Sequence, residues 1–268
     1  MIKREEWFRT ESFLVVSVFI IILLLASCSA SVRLQLLEDG KIQVRFSSSL
    51  SPAIGRLFRA LSSDTVVSGA SAAQQNAGTT HASKIDQTSG VSVIPASKLS
   101  RQLQQQPYFT GVRIQETKQD SYEGSFTILD SESFFKTYQC ITLAKNTTSG
   151  QTQLVVQFSR TSVPQILQLL SPDILDYLDA LMAPLVTGEA LSVTDYLELV
   201  SSVYGPTVAG ELAQSKLTVE LVVSGPILSV SGGIKQGKSA LFTIPLVDLL
   251  VLSKPLEYRI LFQSSPGS

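Results

Sequence analysis

The sequence predicts an α+β fold: a largely antiparallel sheet with a cluster of amphipathic helices packed on it. Apolar and polar residues alternate in short runs in both halves of the chain, which is the period of a half-buried β-strand. Over about 163–214 the apolar residues instead recur at a spacing close to 3.6, which indicates helices. Strands that surround a helical block, with tight turns between successive strands, are typical of this class.

The first 27 residues predict an export signal. Lys3, Arg4 and Arg9 precede an uncharged and almost entirely apolar run over 13–26. As a helix this run spans about 21 Å, which is too short for a hydrocarbon core of about 30 Å but suits a signal peptide. We therefore expect a signal peptide at 1–27 and a single α+β domain over 28–268. An uncleaved signal anchor is the alternative.

The run ends in Leu25-Ala26-Ser27-Cys28, which resembles a bacterial lipobox. The resemblance implies that Cys28 becomes the first residue of the mature chain and carries a thioether-linked lipid, usually with an N-acyl chain such as palmitate. Two or three acyl chains hold a protein stably on a membrane, whereas one chain binds marginally. Ser29 follows the cysteine where retention in the inner membrane would favour Asp. The cell envelope, and within it the outer membrane, is therefore the expected location, with the leaflet left open.

The first elements of the domain are a hairpin and a short helix. Alternating runs at 32–36 and 41–46 flank Asp39-Gly40, which predicts a β-hairpin with an Asp-Gly turn. Ser51-Pro52 then predicts the start of an amphipathic helix over 51–61. Its apolar face consists of Ile54, Leu57, Phe58 and Leu61.

A flexible insertion is expected at about 62–97, where few large apolar residues offset the entropy of ordering the chain. His81, the only histidine, lies in it and is expected to be solvated. Strands are predicted after it at 108–116, 124–129, 139–144 and 153–160.

Two helices are predicted within the block at 163–214. The first covers 172–186, and its apolar residues are Ile174, Leu175, Leu178, Leu181, Met182 and Leu185. The second covers 192–204, opens with a capping pair of Ser192 and Asp195, and carries Tyr196, Leu197 and Val200. Strands follow at 217–223, 227–230, 240–244 and 256–262, with a buried helix or an edge loop at 245–252.

Composition and motifs argue against several functions. The net charge of −1 provides no general electrostatic footprint for nucleic acid. With Cys28 lipidated, Cys140 has no partner for an intrachain disulfide. No catalytic, phosphate-binding or metal-ligand motif is present, and Asp173, Asp176 and Asp179 are expected to be solvated on a polar helix face. We therefore expect no enzyme activity, no cofactor and no metal.

The last forty or so residues resemble spirochaetal, especially treponemal, envelope lipoproteins. The resemblance rests on Ser231-Gly232-Gly233, on 240–246 and on Pro255-Leu256-Glu257-Tyr258, together with the lipobox. Some members of that group are outer-membrane-associated α+β proteins whose amphipathic helices insert into or perturb the bilayer. The resemblance implies such a role for the helices at 51–61, 172–186 and 192–204.

The sequence therefore predicts an envelope lipoprotein that binds lipid, membrane or an apolar ligand through amphipathic helices. A structural or assembly module that binds an envelope protein is the alternative. The acidic outer face of the 172–186 helix favours core packing over an interfacial position, where Lys and Arg are usual. The candidate contacts are Ile54, Leu57, Phe58, Leu61, Ile174, Leu175, Leu178, Leu181, Met182, Leu185, Tyr196, Leu197 and Val200.

Mass spectrometry of the mature N-terminus tests the predicted anchor. We expect the first residue to be Cys28, with the added mass of a diacylglycerol and an acyl chain, because its sulfur and its new α-amino group would both be acylated. Replacement of Cys28 by Ser should abolish this mass and release the protein from membranes. An intact Met1, or an unmodified Cys28 at the N-terminus, would contradict the assignment.

Overall fold

The structure, a computed structural model, describes 29–37, 39–67, 92–131, 134, 141–146, 148–162 and 172–263, with side chains described only to 61 in the first helix and only from 175 in the third. Within these residues the strands are β1 Ser29–Leu36, β2 Ile42–Ser49, β3 Phe109–Lys118, β4 Ser121–Ile128, β5 Ile141–Asn146, β6 Gln151–Phe158, β7 Lys216–Val222, β8 Ile227–Ser231, β9 Ile234–Gln236, β10 Ser239–Pro245 and β11 Leu256–Gln263. The helices are α1 Pro52–Val67, α2 Ala96–Gln104, α3 Pro172–Ala180, α4 Pro184–Thr187, α5 Val193–Tyr204, α6 Pro206–Gln214 and α7 Leu246–Val251.

Residues 1–28, His81, Cys140 and 163–171 lie outside the described residues, as does the side chain of Ile174.

The described strands form two sheets, and this corrects the prediction of one. The larger sheet has the order β3-β4-β2-β1-β7-β10-β9, and the smaller has the order β5-β6-β11-β8. The only parallel pair among the described strands is β1 with β7, which aligns Ser29 with Lys216. The mixed α/β content and the mostly antiparallel sheets are as predicted.

The β1–β2 hairpin is confirmed. Val32 lies opposite Phe46 and Leu36 opposite Ile42, and Gly40 adopts φ 78° in the turn. A φ of this sign favours glycine because a Cβ would clash with the backbone.

The two edges of the larger sheet differ from ordinary strands. At one edge, the pairing of β3 with β4 shifts register twice, between Thr110 and Arg113 and between Glu116 and Lys118. At the other edge, β9 has only three residues, all exposed. The sequence analysis predicts no strand between 230 and 240, yet Ile234 to Gln236 pair with the start of β10.

Helix α1 is fixed at its N-terminus by a carboxylate from α6. Glu211 accepts hydrogen bonds from the hydroxyl of Ser51 and from the backbone N–H groups of Ala53 at 3.0 Å and Ile54 at 3.4 Å. A negative charge at this end satisfies free N–H groups and complements the helix dipole. α1 continues to Val67, six residues beyond its predicted end at 61 and into the predicted insertion.

A buried ion pair joins α1 to the β3–β4 turn. Asp120, which is 5% exposed, pairs with Arg59 and accepts the backbone N–H of Val93 at 2.7 Å. The phenol of Tyr122 donates to the carbonyl of Ile94 at 2.7 Å, and burial raises its pKa to about 12. These contacts order the chain from Ser92 to α2 within the range that the sequence had assigned to a flexible insertion.

The helical block contains more breaks than predicted. α3 ends at Ala180, Pro184 begins α4, and Gly188 ends it at φ 78°. The capping pair at the start of α5 is confirmed, because the Asp195 N–H donates to the Ser192 hydroxyl at 3.1 Å and the Asp195 carboxylate accepts the Ser192 N–H. The run at 245–252 is helix α7, and its side chains from Leu249 to Val251 are buried.

Replacement of Glu211 by Ala should lower the free energy of unfolding by about 2 kcal/mol, because the start of α1 loses its charged hydrogen-bond acceptor. Urea unfolding measures the change. Glu198 provides the matched control, since it is exposed on α5 and its replacement by Ala should cost less than about 0.5 kcal/mol. Equal losses in the two variants would contradict the capping role.

Candidate functional site: an apolar cavity between the sheets

The inner faces of the two sheets enclose a cavity of about 140 Å³. Its lining is apolar throughout except for the phenol group of one tyrosine. The lining residues are Val32, Leu34, Leu36, Ile42, Val44, Phe109, Phe126, Ile128, Phe134, Ile141, Leu154, Val156, Phe158, Leu217, Val219, Leu221, Phe242, Ile244 and Tyr258.

Strand alternation directs these side chains inward. In β7 the lining residues are Leu217, Val219 and Leu221, while Thr218 and Glu220 belong to the opposite face. The pairing of β7 places Val219 between Val32 of β1 and Phe242 of β10, so the cavity floor continues across three strands. Side chains two residues apart on a strand lie on the same face, which explains why so many apolar groups meet there.

Aromatic rings bridge the two sheets and close one part of the cavity. Phe242 of the larger sheet meets Tyr258 of the smaller with ring centroids 5.3 Å apart and planes at 69°. Phe109 makes similar edge contacts with Phe126 at 5.0 Å and Phe134 at 6.2 Å. Such pairs add about 0.5–1.5 kcal/mol each to the burial of their area.

Tyr258 is the one lining side chain that can titrate. Burial, and then the nearby charge of Asp248, raise the pKa of its phenol above the usual value. The phenol therefore stays neutral at physiological pH, and no charge faces the cavity from its lining.

The lining is not fully sealed from solvent. Leu34, Leu36, Ile141, Val156 and Val219 are only partly buried, and so is Tyr258. An apolar cavity of about 150 Å³ remains dry in other proteins and binds small apolar molecules such as benzene. The space between the sheets is thus suited to an alkyl or aromatic group, and the phenol of Tyr258 is the only polar side-chain group of its lining.

The predicted helix faces lie elsewhere. Six of the candidate side chains are no more than 3% exposed and pack in the core: Ile54, Phe58, Leu178, Leu181, Tyr196 and Val200. Protein therefore covers these six side chains, which is the core packing that the sequence analysis weighed against membrane contact. Leu57, Leu61, Leu175, Leu185 and Leu197 are partly buried against the same core, and Met182 is partly exposed at φ 51°.

Hydrogen bonds hold several of these helices in place. The phenol of Tyr196 donates to the carbonyl of Leu181 at 3.1 Å, which joins α5 to the end of α3. Tyr204 of α5 likewise donates to the carbonyl of Ala180. Exposing these faces to lipid would therefore break polar contacts as well as apolar packing.

Among the described residues, no helix is both long and apolar enough to cross a bilayer. In the same part of the chain, no group of three or more His, Cys, Asp or Glu side chains is arranged to hold a metal ion.

Sequence analysis missed the cavity because its lining residues had been identified only as strand residues. Alternation shows which side chains face inward, but it does not show that two inward faces leave space between them. The apolar residues of β1, β7 and β10 lie side by side in the sheet, and this alignment could have indicated the cavity. The alignment can be recognised only when the pairing of these distant strands is known.

No protein-family model matches the chain, and no curated protein matches it significantly. Among solved structures, the chain is similar to the NMR structure of the folded domain of the Mycobacterium tuberculosis protein LppM. The two share 7% sequence identity over 89% of this chain and 90% of that chain, with a TM-score of 0.33. A TM-score of this size does not establish a common fold, so the site is interpreted from its own residues.

Replacement of Phe242 by Ala should lower the free energy of unfolding by about 3–5 kcal/mol, because it enlarges the cavity and removes the ring contact with Tyr258. Chemical denaturation measures the loss. Leu241→Ala is the control, since Leu241 is partly exposed and faces the other side of the same strand. A loss as large for Leu241→Ala would contradict the position of the core between the sheets.

Proposed function

We propose that this chain is a non-enzymatic lipoprotein of the cell envelope, tethered through lipid on Cys28, that binds an alkyl chain in the cavity between its sheets. The observation that supports this most strongly is the uniformly apolar lining, nineteen side chains with one neutral phenol. The proposal keeps the predicted lipid or apolar ligand but transfers its binding from the helix faces to the sheets.

The size of the cavity limits the ligand. A methylene group fills roughly the volume of a water molecule, about 30 Å³ in the liquid, so the space of about 140 Å³ accepts about five of them. At about 0.8 kcal/mol per buried methylene, their transfer from water contributes about 4 kcal/mol. The site therefore suits the end of one acyl chain, with the remainder of the ligand leaving on the partly exposed side of the lining.

The tether places this site close to a source of such ligands. β1 begins at Ser29, the residue after Cys28, and its side chains Val32, Leu34 and Leu36 line the cavity. At about 3.3 Å per residue, these positions lie roughly 10–23 Å along the strand from Ser29. A domain held so near a bilayer encounters acyl chains without a separate carrier.

A protein partner in envelope assembly is the second candidate. Ile234 supports it, since this side chain is 64% exposed on the edge strand β9. One exposed apolar residue is common on protein surfaces, and the cavity is the more specific feature.

Replacement of Val219 by Phe should fill the cavity and abolish ligand binding with little loss of stability. The probe is decanoic acid below its micellar concentration, added to a soluble form that starts at residue 28 and carries Cys28→Ser. Isothermal titration calorimetry should detect binding to the parent form and at least about tenfold weaker binding to Val219→Phe, since about 1.4 kcal/mol of lost burial suffices.

Val222→Phe is the matched control: the same substitution on the same strand, at a position that does not line the cavity. It should bind decanoic acid as the parent form does. Absence of binding to the parent, or equal loss in both variants, would refute the cavity as the ligand site. Binding retained by Val219→Phe would also refute it.

A further inference from the structure

We propose that the outer face of the larger sheet is a phosphate-binding surface that contacts the lipid headgroups of the membrane to which the chain is tethered. This inference rests on the proposed tether at Cys28 but not on the cavity, which lies on the opposite face of the same sheet.

Strand pairing aligns three arginines in one row across this face. Arg33 of β1 lies directly opposite Arg45 of β2. Arg45 pairs with Ser125 of β4, and Ser125 pairs with Arg113 of β3. With strands about 4.8 Å apart, the row places Arg33, Arg45 and Arg113 within about 15 Å.

This arrangement is unfavourable for the isolated domain. Like charges directly opposite each other destabilise a strand pair, and Arg33 and Arg45 occupy such positions. Arg33 is compensated by Glu220 of β7, whose carboxylate lies 2.9 Å from its guanidinium. Arg45 and Arg113 are exposed and form no ion pair within the described ranges. Two guanidinium groups are thus available to an anion from outside.

Small polar side chains leave room around these guanidinium groups. The arginines line a groove of about 970 Å³ together with Ser47, Ser125, other residues of β1, β2, β3, β4 and β7, Leu241 of β10 and Ser100 of α2. Ser47 exchanges a hydrogen bond of 2.8 Å with the hydroxyl of Ser31, so its hydroxyl is held at the surface beside the row. Guanidinium groups surrounded by hydroxyl donors suit phosphate oxygens, which accept several hydrogen bonds at once.

The two acidic residues of the groove do not cancel the positive charge of the arginine row. Glu220 is already engaged by Arg33, and Glu123 lies on the exposed side of β4 without an ion pair in the described residues. The groove therefore contains three positive and two negative side chains, with the positive ones concentrated in one row.

The position of the row identifies the source of the phosphate. Ser29, the residue after Cys28, begins β1 four residues before Arg33, so about 13 Å separates the Cα atoms of Ser29 and Arg33. The surface potential of an anionic membrane decays over a Debye length of about 8 Å, and an arginine side chain extends toward it from the sheet. A sheet anchored by its own first strand can lean onto the bilayer with this face, whereas a soluble partner would have to approach past the headgroups.

A cysteine-protection experiment on the full lipidated chain tests this surface. Ser125→Cys places a thiol in the row, Cys140→Ser removes the other thiol outside the anchor, and the chain is reconstituted in vesicles of phosphatidylcholine alone or with 40 mol% phosphatidylglycerol. We expect a water-soluble maleimide to react at least about fivefold more slowly in the anionic vesicles at low salt, and equally in both at about 1 M salt.

Arg45→Gln with Arg113→Gln should remove this protection, bringing the two rates within about twofold, since each arginine near the surface contributes substantially to attraction. Arg56→Gln with Lys254→Gln is the control, because both residues are exposed and neither lines the groove. It should retain the protection. A thiol at Ser202, exposed on α5, should react equally in both vesicles.

Equal rates at Ser125→Cys in the two vesicle types would overturn the proposal, as would protection that survives Arg45→Gln with Arg113→Gln. Equally slow reaction of the Ser125→Cys thiol in both vesicle types would indicate that a protein contact or the tether alone covers the thiol. This result would also overturn the proposal. Thermal unfolding of each variant shows that the fold is intact. Mass spectrometry of the same samples reports the state of Cys28, so failure of the tether is distinguished from failure of the surface.

Discussion

The parallel pairing of β1 with β7 is the interaction on which the rest of the structure depends. It aligns Ser29 with Lys216 and joins the N-terminal hairpin to the strands that follow the helical block. β2, β4 and β3 extend the sheet on one side of this pair, and β10 and β9 extend it on the other. Without it, neither the cavity floor nor a connection between the hairpin and the C-terminal strands would exist.

This pairing also assigns the two faces of the sheet. Val32 faces the cavity beside Val219, while the next residue, Arg33, faces outward beside Glu220. Side chains alternate with a period of two, so a slip of one residue would direct arginines into the cavity and valines into solvent. The strong contrast between the two faces therefore fixes the register, and one strand alignment produces both the apolar face and the charged face.

Local features were predictable from the sequence, whereas the candidate sites were not. The Asp-Gly turn at Gly40 and the Ser192–Asp195 cap depend on neighbours within a few residues, so their patterns identify them. The division into two sheets depends on pairing between residues far apart, such as Leu256 with Phe158. The faces of α1, α3 and α5 look alike whether protein or lipid covers them, because burial in either medium demands the same apolar spacing.

The net charge did not predict the arginine row, for a similar reason. A total of −1 excludes a general attraction to anions, but it does not describe how charges are distributed. Arg33, Arg45 and Arg113 are distant in sequence and become neighbours only through β1, β2 and β4. The order of the strands brings the three arginines into one row, and the net charge of the chain contains no information about their positions.

The irregular edges of the larger sheet limit how one copy of the chain can pair with another. A long, regular open edge would allow the sheet of one copy to extend the sheet of the next. The double register shift in β3 bends its outer hydrogen-bonding groups out of line, with Lys118 at its end, and β9 offers only three residues. Irregular or very short edges of this kind resist strand addition. Both edges of the larger sheet are thereby protected from pairing with a strand of another chain.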